Sequence, residues 1–184
     1  MCSELKKYNV QQLNEPFYIF TPKKLKKNVK EFLKKFNGKT IYSVKTNPSD
    51  NIIREIYNAG ISSFDVASLK EIKLVKSLLS KCKIYYMNPI KSYSMIQKSY
   101  YEFGVRDFSF DCVDELEKIY KATGMANDLN LHIRILTHNN FSKVNLSKKF
   151  GIEGKEAIYL LRKASEVSKN IGVSFHVGSQ CLSP

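Results

Sequence analysis

The chain has 184 residues, enough for one domain with a real core, and its 43% hydrophobic content is that of a globular protein rather than a disordered one. Its net charge is +13, but only four residues are arginine and the lysines are spread along the chain, so the excess reads as solvated helix faces and not as a nucleic-acid interface. No run of eighteen apolar residues occurs and the N-terminal MCSELKKYNVQQLNEP has no apolar signal region, so a cytoplasmic protein that does not engage a membrane is expected.

The elements follow one another as strand, helix, strand, helix. FYIF (17–20) is a short strand candidate. PKKLKKNVKEFLKKF (22–36) places Leu25, Val29, Phe32, Leu33 and Phe36 at helical spacing, with Thr21 as N-cap and Pro22 at the first helical position. KTIYSVK (39–45) is a strand and NIIREIYNAG (51–60) a helix closed by Gly60. ISSFDV (61–66) is a strand, and SLKEIKLVKSLL (68–79) is a helix in which Ser68 and Glu71 have capping-box spacing. KIYYMN (83–88) is a strand stopped by Pro89, and SYSMIQKSYYEFG (92–104) a helix closed by Gly104. DFSFD (107–111), then VDELEKIYKAT (113–123), then NLHIRILT (130–137) continue the alternation. A polar loop, HNNFSKVNLSKKFG, leads to the helix GKEAIYLLRKASEVSKN (154–170) and a last strand, VSFHVGSQ (173–180).

Six βα repeats or partial repeats at short spacing imply a parallel sheet with right-handed crossovers. An open doubly wound sheet and a (β/α)8 barrel both fit that order. The strands are short, and their C-terminal ends carry polar residues in succession: Lys45, Asp65, Asn88, Asp111, Arg134 and His176. In a barrel these ends converge on one face, where active sites sit. A doubly wound nucleotide fold would carry a Gly-rich turn after its first strand, and IYSVKTNPSDN has none. The barrel is therefore the expected fold. The scattered cysteines Cys2, Cys82, Cys112 and Cys181 form no C-x-x-C pair, which argues against a zinc site or a disulfide framework.

Residue chemistry alone leaves the candidates open. Lysine is rarely buried, so Lys45 alone reads as a surface residue. His176 alone suits a structural role, Asp65 a helix cap, Glu71 the partner of Ser68, and Arg134 an interior ion pair with Asp111.

YSVKTN, FDVASLKEI, IYYMNPIKS, FSFDCVDELEKI, LHIRILT, LSKKFGI and VSFHVGSQC occur in this order. Together they resemble the ornithine decarboxylase branch of the fold-type III, pyridoxal-phosphate-dependent decarboxylases, from about residue 16 to the end. The resemblance implies that Lys45 is the catalytic lysine that holds pyridoxal 5'-phosphate covalently, and that desolvation keeps its amine reactive. It implies that His176 stacks on the cofactor ring, that Ser179 and the adjacent Gly178 contact its phosphate, and that Arg134, Asp65 and Glu71 surround the ring and the lysine. Lys149 would help join the barrel to a second domain across a homodimer. The implied reaction is decarboxylation of a small-molecule amino acid, ornithine to putrescine in polyamine biosynthesis, with lysine, diaminopimelate and arginine as alternative substrates.

The same resemblance divides the chain into an N-terminal extension (1–15) and a partial cofactor-binding barrel domain (16–184). Six of a barrel's eight strands are counted between IYSVK and VSFHV, and FYIF would belong to the family's C-terminal β-domain. The Gly-rich phosphate loop and the glutamate facing the pyridine nitrogen would lie outside the chain. The expectation is of a truncated chain inactive by itself. A decayed or non-catalytic homologue, and half of a split enzyme with a complementary C-terminal fragment, are the alternatives.

Overall fold

A computed structural model describes residues 15–138, 142–144 and 149–182. Six helices and eight strands alternate along it. They are α1 (Pro22–Lys35), β1 (Tyr42–Ser43), α2 (Asp50–Asn58), β2 (Ser63–Val66), α3 (Leu69–Leu78), β3 (Lys83–Tyr86) and α4 (Tyr93–Tyr101). There follow β4 (Asp107–Phe110), α5 (Val113–Ala122), β5 (Asn130–Arg134), β6 (Ser142–Val144), α6 (Gly154–Val167), β7 (Asn170–Ser174) and β8 (Ser179–Cys181). Six strands form one parallel sheet in the order β1-β2-β3-β4-β5-β7, and β6 pairs antiparallel with β8.

Each strand has two chemically distinct faces. Phe64, Ile84, Tyr86, Phe108, Leu131 and Ile133 share one side by register, and each is at most 3% exposed. The helices cover that side with Ile53, Ile72, Ile96, Ile119 and Leu160, all at 0%. Burial of each such side chain contributes about 1.5–3 kcal/mol relative to exposure. The opposite side carries Ser43, Asp65, Tyr85, Asp107, His132 and Arg134. A parallel sheet sandwiched flat between helix layers would be apolar on both sides. Here one side is polar, as the inner side of a curled sheet.

The curl is visible in what the edges share. Five inter-strand spacings of about 4.8 Å would set β1 and β7 roughly 24 Å apart in a flat sheet. Instead Lys45, just after β1, and Ser174 to His176, at the end of β7, line the same cavity. The sheet is thus an arc of a (β/α) barrel, as the alternation of elements implied, with the expected six strands.

Local structure corrects the sequence reading in four places. FYIF is not a strand; residues 16–21 have no regular structure. KTIYSVK contributes only Tyr42–Ser43 to the sheet, because Val44 is fully buried and Val44–Thr46 form a 3-10 turn. The Tyr42 hydroxyl donates to the Asn47 carbonyl at 3.0 Å and ties that turn down. VSFHVGSQ is two strands: β7 ends at Ser174, and β8 begins at Ser179 after a loop. The polar loop after β5 contains β6, whose alternation is too short to read in sequence.

Capping followed the sequence at one helix and not at another. The Ser68 hydroxyl accepts from the Glu71 amide at 3.3 Å, and the Glu71 carboxylate accepts from the Ala67 amide at 2.6 Å. Thr21 is the N-cap of α1, but its side chain makes no cap bond. Ser68→Ala should therefore destabilise by about 1 kcal/mol in denaturant titration, whereas Thr21→Ala should be near neutral. Equal costs at the two caps would contradict this assignment.

Candidate functional site

A cavity of about 280 Å³ opens at the C-terminal ends of the parallel strands. This is near the lower end of ligand-sized pockets, roughly 300–1,000 Å³. Its polar wall comprises Lys45, Asp65, Asn88, Arg134, Ser174 and His176. Ala67, Met87, Pro89, Phe150 and Phe175 supply apolar surface. Among these lining residues Lys45 carries the one primary amine.

The 3-10 turn carries Lys45 one residue past Ser43–Val44, and its side chain is exposed. The expected desolvation of the lysine is not found; the amine stands at an open rim. Asp65 is the deeper group. Its carboxylate accepts from the Ser43 hydroxyl at 2.9 Å, and the Met87 backbone nearby also favours its charged form. Burial raises its pKa, against the opposing pull of Ser43, Lys45 and Met87. Arg134 ends β5 half-buried, with Asp111 and Asp65 the carboxylates acting on it. Asp111 does not serve simply as its ion partner, because it accepts from the Gly151 amide at 3.0 Å.

His176 lies in the loop after β7 and not on a strand. Its Nδ1 accepts from the Gly178 amide at 2.9 Å, so in the neutral ring the proton resides on Nε2. Burial, then the charges of Arg134 and Lys45, lower its pKa. The Thr137 hydroxyl donates to its carbonyl at 2.7 Å and anchors the loop to the end of β5. Gly178 has φ of 95°, which lets the chain turn back through the His176 ring into β8.

The other expected residues sit nearby but do not line the cavity. Glu71 holds the β2–α3 turn through Ala67, whose backbone it fixes. Gly178 and Ser179 follow the histidine toward β8, and Ser179 is exposed. Lys149 is exposed, with its ammonium 5.4 Å from the Phe150 ring centroid.

Sequence reasoning missed Phe150 and Phe175. Phe150 lies in the polar loop before α6, where its only signal was aromatic character, and Phe175 directly follows β7 but was read as an ordinary strand residue. Phe150 is brought in by its neighbours: Ile152 donates to the Arg134 carbonyl at 3.0 Å, and its own carbonyl accepts from Leu136 at 2.9 Å. Gly151 between them has φ of +106°, and a Cβ there would lie 2.8 Å from the Leu136 nitrogen.

Two larger cavities lie elsewhere. One of about 470 Å³ occupies the N-terminal ends of the strands, where Asp107 is already bonded to Lys83, Asn130 and His132 at 3.0–3.2 Å. Burial pushes the Asp107 carboxyl up, but those partners outweigh it and hold the carboxyl below its usual range. Another of about 640 Å³ lies between residues 18–20 and the start of α2, lined without a charged side chain. Neither assembles an amine, an imidazole and a guanidinium as the strand-end cavity does.

A family profile described as "Pyridoxal-dependent decarboxylase, pyridoxal binding domain" matches residues 22–184. The chain belongs to this family. It is 33% identical over 177 residues to the lysine/ornithine decarboxylase of Selenomonas ruminantium, covering 94% of this chain and 44% of that protein. It is 38% identical over 145 residues to the ornithine decarboxylase of Panagrellus redivivus, covering 78% of this chain and 32% of that protein. The arginine decarboxylase of Paramecium bursaria Chlorella virus, solved bound to agmatine, superposes with a TM-score of 0.82 at 28% identity, over 96% of this chain and 46% of that one. The chain thus spans less than half the length of these relatives.

The cofactor is pyridoxal 5'-phosphate, and the donor set fits it. Lys45 offers an amine to an aldehyde, His176 a flat neutral ring to a pyridine, and Arg134 a fixed positive charge to anionic oxygens. No helix of the described residues is long and apolar enough to cross a membrane.

Two measurements check this geometry. Gly151→Ala should destabilise the fold by about 2–4 kcal/mol and detach Phe150 from the cavity, since backbone atoms oppose the new methyl. Tolerance within 0.5 kcal/mol would contradict the close approach. By NMR, His176 should titrate below the usual 6.5. Its folded pKa is depressed, so the unfolded chain binds more protons in that window, and stability should fall as pH drops through it.

Proposed function

We propose that this chain binds pyridoxal 5'-phosphate through Lys45 and serves the decarboxylation of a basic amino acid, with ornithine, giving putrescine, as the substrate. The observation that carries the reading is the convergence of Lys45, Asp65, Arg134 and His176 on one cavity from four separate strand ends.

When bound, the cofactor supplies an electron sink for the pair left as the α-carboxylate departs as carbon dioxide. The chain's residues do the rest. Lys45 presents its amine at the rim, where it would hold the cofactor within reach of an incoming substrate. His176, locked by the Gly178 amide, holds a ring plane at one orientation and stays neutral at physiological pH. Arg134 and Asp65 supply a positive and a negative group on the same inner face. Met87, Pro89, Phe150 and Phe175 keep water off part of the cavity. Glu71 acts by fixing the Ala67 backbone beside Asp65. Ser179 and Gly178 belong to the same reading as contacts to the phosphate. A homodimer is part of it too, with the exposed Lys149 turned to a neighbouring subunit or domain.

Borohydride reduction after incubation with pyridoxal phosphate should fix a pyridoxyl mass on the Lys45 peptide, and Lys45→Ala should abolish the label. An unlabelled wild-type chain would sink the cofactor assignment. Carbon dioxide release from carboxyl-labelled ornithine, lysine, arginine and diaminopimelate then tests the reaction, with ornithine fastest. A labelled Lys45 with no release from any of them, by the chain alone or together with a complementary C-terminal fragment, would refute the activity and leave a cofactor-binding chain.

A further inference from the structure

The β3–α4 turn that walls the cavity is built around a buried charge. The Lys91 side chain is 0% exposed, and its ammonium donates to the Asn88, Pro89 and Ser109 carbonyls at 2.8, 3.3 and 2.5 Å. It pairs with Glu115 of α5 at 2.9 Å and stands 5.7 Å from the Tyr86 ring centroid. The Lys91 carbonyl in turn accepts from Lys118 at 2.7 Å, and Lys118 shares the Glu115 carboxylate. Desolvating an ammonium is expensive unless every proton finds an acceptor. Here a carboxylate and three carbonyls meet it.

Two of those carbonyls belong to Asn88 and Pro89, which line the cavity together with Met87. Met87 shares that cavity with the Asp65 carboxylate, and its backbone is among the groups that favour the charged form of that carboxylate. The turn is therefore gripped on both sides. Its carbonyls face inward to the Lys91 ammonium, and Met87, Asn88 and Pro89 line the site. The Asn88 side-chain amide closes it further by donating to the Ile90 carbonyl at 2.8 Å.

We propose that Lys91 is a positioning residue of the cofactor cavity: its ammonium holds the Met87–Pro89 wall in place and, with Met87, the surroundings of the Asp65 carboxylate. Removing the ammonium orphans three inward carbonyls; the two on the turn, of Asn88 and Pro89, swing toward solvent and carry Met87 away from Asp65, while that of Ser109 stays in β4. Burial lowers the Lys91 pKa to about 8, Glu115 pulling it back up, Lys118 lowering it and Asp111 raising it, so the clamp is charged at neutral pH. The cofactor-affinity part of the proposal rests on the function proposed above; the grip on the turn and on Asp65 does not.

The test uses the full chain as wild type, Lys91→Met, and the double variant Lys91→Met with Glu115→Gln. The double variant removes both fully buried charges, leaves only the partly exposed Lys118 without its carboxylate, and nearly conserves volume, so it keeps the fold if the single variant does not. Three quantities are read: amide exchange at Met87, Asn88 and Ile90 against amides of α4 and α5; the carboxyl titration of Asp65; and pyridoxal phosphate affinity by absorbance. In the double variant we expect at least tenfold faster exchange confined to the turn, an upward shift of the Asp65 titration, and about tenfold weaker cofactor binding. Exchange rising evenly over α4, α5 and the turn, or an unmoved Asp65 titration, would overturn the proposal and leave Lys91 as core structure. If wild type takes up no cofactor, the proposed function fails, while exchange and the Asp65 titration still decide the role of Lys91.

Discussion

The structure depends on one constraint: the strands from β2 to β5 are apolar on one face and polar on the other, and both faces are largely taken out of water. The apolar face poses no difficulty, because amphipathic helices cover it. The polar face must find partners among its own residues, since a buried polar group without a hydrogen bond is costly. Curling the sheet brings those partners within reach. Ser43 meets Asp65 across β1 and β2, and Lys83, Asn130 and His132 meet Asp107 across β3, β4 and β5.

The two ends of the curled sheet solve this problem differently. At the N-terminal end Asp107 is saturated by three partners, and its carboxyl is held below the usual range. Such a group is committed to structure. At the C-terminal end Asp65 keeps a raised pKa, His176 a lowered one, and Lys45 stands exposed. Perturbed, incompletely neutralised groups in a cavity mark functional sites. The contrast between the ends supports assigning chemistry to the smaller cavity and a structural role to the larger one below it.

Loop geometry sets the precision of the site. The cavity wall comes from turns after β1, β3 and β7 and from the Phe150–Ile152 segment alongside β5. Each is pinned by a specific polar contact: Tyr42 to Asn47, Lys91 to Asn88 and Pro89, Thr137 to His176, Asp111 to Gly151. These anchors lie outside or behind the cavity. Tyr42, Lys91 and Thr137 carry no local signature, so pattern reading passes over them, and Asp111 was legible as a strand-end residue but not as the anchor of Gly151.

The sequence by itself determined the order of elements, the parallel sheet and the identity of the strand-end residues, because period-two and period-3.6 burial are local properties of the chain. Lys45, Asp65, Arg134 and His176 were legible at strand ends, and their motifs pointed to the family before any coordinates. Only the tertiary structure decided that Lys45 is exposed, that the last strand splits around Gly178, that Glu71 supports a turn beside the cavity, and that Lys91 is buried. Those facts depend on the curl of the sheet and on contacts between residues far apart in the chain, such as Thr137 and His176, 39 positions from each other. Local spacing holds no information about which distant carbonyl or carboxylate a side chain will meet.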